Sequence, residues 1–362
     1  MLNKKVLVIT FHACPNYGAV LQAYGLSEFL KTIFTSVKFL DYCPSSVMDE
    51  YKVISTYSLG SILYTAYSAP SFIRKKRRFK DFLLNNIQLT QRYERVSDIK
   101  SIETDICILG SDQIWNPDIT GGIDGVFFGR LPFCNHPKIL SYAASIGKQK
   151  YTDDEVNMVR PLIQEISAIS LREQYACDYF LEQFGRNAVA VVDPTMLVGV
   201  DCFKKFVTPP SYGRYVLIYT LKQNPENDTR AVARRVSEEM KIPLIEINGN
   251  RKKIKRVQHK VLYDVGPSAF ISLMANAEYV VTDSFHGTVF SILFHRPFTA
   301  IPHRNRGGRI EQLLKITGLQ DRFFHDGDFS SYKNSINWMI VDELLANERE
   351  RSVRYFMNAI SE

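Results

Sequence analysis

The chain has 362 residues, 45% hydrophobic and 23% charged, a size and balance that fit about two ordinary globular domains. Its 45 Lys and Arg against 38 Asp and Glu leave a formal charge of +7, which suits anionic substrates or an anionic membrane surface as well as nucleic acid, and no nucleic-acid-binding signature is present. The six scattered cysteines include no C-x-x-C pair, which argues against a zinc site and a disulfide framework, and no apolar run approaches the roughly 18 residues that span a bilayer. The N-terminus enters a strand without a signal-peptide apolar segment, so the expected location is cytoplasmic.

Lys4 to Thr10 is a β-branched run that reads as a buried first strand. The loop to Tyr17 follows, then a helix with Leu26, Phe29, Leu30 and Ile33 on one face. Asn16, Tyr17 and Gly18 occupy the turn. A single glycine there is no dinucleotide fingerprint, which rules out an NAD-type reading, yet a strand feeding a helix N-terminus remains a natural place for a ligand. Val37 to Tyr42 is a second strand. Residues 44–95 leave the alternation and read as a largely helical insertion. Within it, Ile73 to Phe79 is the densest charge run, and Phe72, Phe79 and Leu83 share a helical face. That segment is either a solvated basic helix or an interfacial helix meeting anionic lipid headgroups at the inner membrane surface.

Asp105 to Leu109 is a short buried strand that stops in Gly110-Ser111-Asp112-Gln113, placing small and acidic polar groups at its carboxyl end. Trp115 either walls a pocket or packs under that loop. Ile139 to Ala143 and Ala188 to Val192 are further strands, with a helix over 153–165 and Arg172 after the run 166–171. Thr208 to Gly213 concentrates Pro, Gly and Ser and marks the linker. The expected domains are therefore 1–207 and 208–330, with 331–362 a C-terminal helix able to pack back on the first. Tyr215 to Leu221 restarts the alternation, followed by a helix over 226–240, strands at 243–247 and 261–263, and a helix over 266–275.

Tyr279 to Thr282 is the most informative strand. It breaks at Asp283 and Ser284, and a helix follows from near Gly287. Asp283, Ser284 and His286 thus lie outside the carboxyl end of a parallel strand, where open α/β sheets bind ligands. The first helical turn adds unpaired N–H groups and the positive end of the dipole, which suits an anion. A lone histidine at a helix start is commonly a satisfied structural residue, but the polar crowding of this turn points to function. Strand 297–301 and the basic loop His303 to Arg309 come next, and that loop is expected to close over the anion. The pattern as a whole predicts an α/β chain of two Rossmann-like domains facing across a cleft. The first contributes Asn16, Ser111, Asp112 and Arg172, the second Asp283, His286 and the basic loop.

Six blocks, Asn16 to Tyr24, Gly110 to Asn116, Ser141 to Ser145, Leu171 to Glu173, Asp193 to Thr195 and Ser284 to Thr288, occur in an order that resembles the polysaccharide pyruvyl transferase family over about residues 4–325. The resemblance implies a GT-B-like fold and transfer of the enolpyruvyl unit of phosphoenolpyruvate onto paired hydroxyls of a sugar, giving a pyruvate ketal and phosphate during surface or exopolysaccharide synthesis. It implies phosphoenolpyruvate as co-substrate and a sugar or lipid-linked oligosaccharide as acceptor, and nothing in the sequence suggests another cofactor, a required metal or a nucleic-acid partner. By the same resemblance His286 is the family histidine at the phosphoenolpyruvate site and the candidate general acid. Arg172 and Arg306, with Arg304 beside it, and Ser284 are its anion-binding set. Asp112 or Asp283 is the candidate base, and Asn16, Tyr17, Ser111 and Trp115 face the acceptor. Other branches carry a Gly-Asp-Glu type turn where this chain has Gly18-Ala19-Val20, so that acidic role does not transfer. Two other functions fit the same layout: a GT-B nucleotide-sugar glycosyltransferase, and a non-catalytic relative that holds a glycan or an anion.

Overall fold

A computed structural model describes residues 1–48, 59–221, 229–248, 258–302, 307–324 and 330–361. The chain divides into two compact units, one of Met1–Lys52, Leu83–Val198 and Ala346–Glu362, the other of Val53–Phe82 and Gly199–Leu345. The junction expected at 207/208 lies inside the second unit, where Thr208 N–H donates to Ser272 Oγ at 3.1 Å.

The first unit carries β1 (Leu2–Ile9), α1 (Tyr17–Ile33), β2 (Phe34–Tyr42), the end of α2 (Leu59–Asn86), β3 (Leu89–Tyr93), β4 (Ile106–Leu109) and β5 (Lys138–Ser141). Then come α3 (Asp153–Gln164), β6 (Ser170–Leu171), α4 (Gln174–Phe184) and β7 (Val189–Ala190). The main sheet is parallel in the order β3-β2-β1-β4-β5, and β6 pairs with β7 beside it. Val6 to Ile9 and Ile106 to Leu109 are buried along their whole length, as strands covered on both faces must be. Gly25 lets α1 approach the Asp193-Pro194 turn, because a Cβ there would press on the Pro194 carbonyl oxygen at 2.8 Å.

The second unit repeats the plan with β8 (Val216–Tyr219), α5 (Thr229–Met240), β9 (Leu244–Ile247), β10 (Lys260–Leu262), α6 (Pro267–Asn276), β11 (Tyr279–Thr282), α7 (Phe285–Leu293), β12 (Phe298–Ala300) and α8 (Gly307–Ile316). Its sheet is again parallel, in the order β10-β9-β8-β11-β12. Both sheets reverse strand order at equivalent points, between β1 and β4 and between β8 and β11, which are the ligand positions of doubly wound sheets. The chain closes with α9 (Trp338–Ser361). Its Phe356 sits within the first unit against Phe29 and Tyr142, ring centroids 5.2 and 6.0 Å away.

Two local expectations change. Residues 44–95 are not all helical beyond the second strand, since Leu89–Tyr93 pairs as an edge strand with β2 and Arg92 reaches Asp41. The helix after β11 begins at Phe285 rather than Gly287, because Ser284 Oγ accepts the Gly287 N–H and draws Phe285 and His286 into the first turn. The basic run on α2 follows the solvated reading, with Arg74, Lys76, Arg77 and Arg78 all exposed, though several of them also have partners. Arg74 Nε donates to Asp264 at 2.7 Å, Arg78 also meets Asp264, Lys76 lies over Phe72, and Lys75 is buried. Among the described residues no helix is long and apolar enough to cross a membrane.

Candidate active site

At the reversal point of the second unit, α7 starts immediately beyond β11. Ser284 is its N-cap, and Thr282 Oγ1 locks the turn by donating to the Tyr219 carbonyl at 2.7 Å and accepting from Ser284 N at 3.1 Å. Gly287 is required by this packing, since a Cβ would collide with Thr282 Oγ1. His286, the second residue of the helix, is 8% exposed, with its ring edge-on to Phe285 at 5.2 Å between centroids. Arg309, at the start of α8, lies over the Phe285 ring at 5.9 Å. The turn therefore joins a helix N-terminus, an imidazole and a nearby guanidinium, a set suited to an anion and to proton transfer. Arg304 and Arg306 lie outside the described residues.

Asp283 spans the reversal point. Its Oδ2 accepts from Thr220 Oγ1 at 2.7 Å and its Oδ1 from the Leu221 N–H at 2.8 Å, so the carboxylate joins the ends of β8 and β11. Both oxygens are already engaged, which gives Asp283 a definite structural task.

At the reversal point of the first unit, Gly110-Ser111-Asp112 follows β4. Asp112 has φ +72° and Ala143 on the facing turn φ +51°, both in the left-handed region that L-residues seldom occupy. Such strain concentrates at functional turns. Arg172 anchors this corner: its Nη2 donates to Ser111 Oγ at 2.6 Å and forms an ion pair with Asp193 Oδ2 at 2.8 Å, and Nη1 lies 4.0 Å from Asp112 Oδ1. Burial disfavours its charge, but the neighbouring Asp193, Asp112 and Glu173 outweigh burial and raise its pKa above the ordinary value. Asp193 Oδ1 in turn accepts from Thr195 N and Thr195 Oγ1, capping the turn Pro194–Leu197. Ser145 Oγ donates to Glu173 Oε1 at 2.8 Å.

The structure thus brings Ser111, Asp112 and Arg172 together and adds Asp193 and Glu173, which the sequence reading quoted without assigning a role. An Asp-Pro-Thr cap signature was visible, but nothing local pairs Asp193 with a residue 21 positions away. Asn16 accepts from Gly18 N and Ala19 N as the cap of α1, and Tyr17, the first helical residue, is buried. Trp115 departs from its expected place at an acceptor. It is 1% exposed, stacks on Phe128 and Phe180 at 5.1 and 5.7 Å, and donates its indole N–H to the Phe127 carbonyl, so it packs under the turn.

A family model described as polysaccharide pyruvyl transferase matches residues 16–305. No curated protein gave a significant match. Among solved structures, the Staphylococcus aureus MnaA-UDP co-structure is similar at 13% identity and TM-score 0.52, covering 99% of this chain and 98% of its own. Methanocaldococcus jannaschii UDP-GlcNAc 2-epimerase in complex with UDP-GlcNAc and UDP matches at 13% identity and TM-score 0.48, over 99% and 100%. Escherichia coli heptosyltransferase WaaC with ADP-2-deoxy-2-fluoro heptose matches at 12% and 0.41, over 83% and 89%. The first likeness shows a GT-B-like fold of two Rossmann-like units.

Proposed function

We propose that this chain, which belongs to the polysaccharide pyruvyl transferase family, moves the enolpyruvyl unit of phosphoenolpyruvate onto paired hydroxyls of a sugar. The observation that carries this reading is His286 in the first turn of α7, beside the Ser284 cap at the reversal point of its sheet. The enolpyruvyl methylene must gain a proton to become a methyl group. Two sugar hydroxyls must lose theirs as they add to the carbon that bore the phosphate, and phosphate departs with one proton. His286 supplies the first proton as general acid. The N-terminal turn of α7, with Ser284, Arg304, Arg306 and Arg309, holds the phosphate and carboxylate.

Asp112 is the base of this reading. Asp283 is committed to Thr220 and Leu221, whereas Asp112 lies on the strained turn beside Ser111. Arg172 has its charge met by Asp193, so its part is to hold Ser111 and Asp112 rather than to grip phosphate. Carboxylates around that corner suit a hydroxyl-rich acceptor better than a polyanion. Asn16, Tyr17 and Ser111 belong to the acceptor side, and the acceptor is a soluble or lipid-linked sugar of a surface polysaccharide.

The test is phosphate release from phosphoenolpyruvate across a panel of lipid-linked and nucleotide-linked sugars, with the ketal methyl group followed by NMR. Acceptor-dependent release with a new ketal is expected. Turnover of a sugar nucleotide while phosphoenolpyruvate stays intact would replace this reading with glycosyl transfer. Binding of either without turnover would replace it with a non-catalytic role.

A further inference from the structure

Beyond pyruvyl transfer, the first unit holds a second cluster of reactive groups one strand away from its reversal point. His12 follows the end of β1, Asp41 lies near the end of β2, and Cys43 follows it; all three side chains are buried. One ligating atom from each lies within 4.8 Å of the other two. His12 Nε2 is 3.1 Å from Asp41 Oδ1, and Cys43 Sγ is 3.2 Å from the same oxygen.

The hydrogen bonding of His12 is the informative part. Its Nδ1 lies 3.0 Å from the Thr10 carbonyl, which can only accept, so Nδ1 carries a proton. Its Nε2 faces a carboxylate, which when ionised can also only accept. With Nδ1 held by the carbonyl, Nε2 is aimed at Asp41 Oδ1. A backbone carbonyl on one imidazole nitrogen is the usual way a protein aims the other at a metal. Asp41 Oδ1 receives His12, Cys43 and Arg92 Nη2 at 3.1, 3.2 and 3.3 Å, three donors crowding one oxygen. Arg92 Nε meanwhile holds Oδ2 at 3.1 Å, leaving the carboxylate oriented if Oδ1 ligates.

We propose that His12 Nε2, Asp41 Oδ1 and the Cys43 thiolate form a binding site for zinc. Zinc takes imidazole nitrogen and carboxylate oxygen at about 2.1 Å and thiolate at about 2.3 Å in a tetrahedron, which sets ligand pairs about 3.3–3.6 Å apart. The two separations to Asp41 Oδ1, 3.1 and 3.2 Å, are a few tenths of an ångström shorter and the third pair lies within 4.8 Å, so small shifts admit the ion. Uptake displaces the Cys43 thiol proton, and the ligand set of imidazole, carboxylate and thiolate then carries charge −2 against +2. The scattered cysteines concealed this set, because its members come from the ends of neighbouring strands rather than from a local C-x-x-C.

The test uses the full-length chain, stripped with chelator and titrated with Co2+, then Zn2+. One Co2+ per chain with a thiolate charge-transfer band is expected, displaced by Zn2+. Cys43→Ser should abolish the band and Cys14→Ser should retain it. His12→Gln, which still hydrogen-bonds, should weaken binding at least tenfold, as loss of a ligand does. Circular dichroism establishes that each variant is folded. Folded wild-type protein that takes up neither ion in stoichiometric amount, or a Cys43→Ser variant with the same band and affinity, would overturn the proposal and leave the cluster a hydrogen-bonded hub around Asp41.

Discussion

Arg172 forms an ion pair with Asp193 at 2.8 Å with both side chains buried, and Asp193 is the strongest of the carboxylates that compensate its charge. Removing one member of a buried pair leaves the other unpaired and typically costs about 3–5 kcal/mol. Asp193→Asn and Arg172→Ala should each lower the unfolding free energy from urea titration by that order. Arg172→Met with Asp193→Leu should recover part of the loss. A double variant no more stable than the singles would show that the pair does more than cancel charge.

His286→Gln tests the proposed acid. An amide can hydrogen-bond but cannot deliver a proton at neutral pH, and general acid–base groups contribute about a hundred- to ten-thousand-fold. Turnover at saturating phosphoenolpyruvate should fall by that order while the circular dichroism spectrum is unchanged. Near-normal turnover would move the acid elsewhere. Arg306→Ala should instead chiefly raise KM for phosphoenolpyruvate.

Gly287→Ala places a methyl against Thr282 Oγ1 and, at 2.9 Å, Thr282 Cβ. Overpacking of this kind costs about 1–3 kcal/mol. Thr282 also holds Tyr219 and Ser284, so the displacement should reach the start of α7. A lower melting temperature and reduced turnover should appear together. An unaffected melting temperature would mean that the strand and helix separate without penalty.

Glu246, fully buried on β9, predicts an acid response. Burial alone would raise its pKa, but hydrogen bonds from His259, Arg230 and Asn248 prevail and lower it from 4.5 to about 2. A depressed carboxylate contributes stability that is present above its unfolded value and lost as pH falls through its folded one. Wild-type stability should therefore decline between about pH 5 and pH 2 through this group. Glu246→Gln should be less stable at neutral pH, because Arg230 loses its bidentate partner, and its acid slope should be shallower. Equal slopes in urea titrations of the two proteins would remove Glu246 as a source.

The amino-acid sequence by itself determined the strand-turn-helix units, the end of β11 at Asp283 and the polar turn carrying Ser284 and His286. Those features depend on neighbours within a few residues: an apolar β-branched run, a capping side chain, an unpaired first helical turn. The GT-B-like plan was legible through its repeated alternation and ordered motifs. Only the tertiary structure decided that Trp115 packs under its turn, that Asp283 ties β8 to β11, and that Arg172 meets Asp193. The same holds for β3, whose short, half-polar run becomes a strand by adding to an existing edge. His12, Asp41 and Cys43 likewise converge only once β1 and β2 lie side by side. Which distant residues meet is set by strand order and register, and the free energy that selects them comes from burying both faces of a sheet at once, a quantity no short stretch of chain contains.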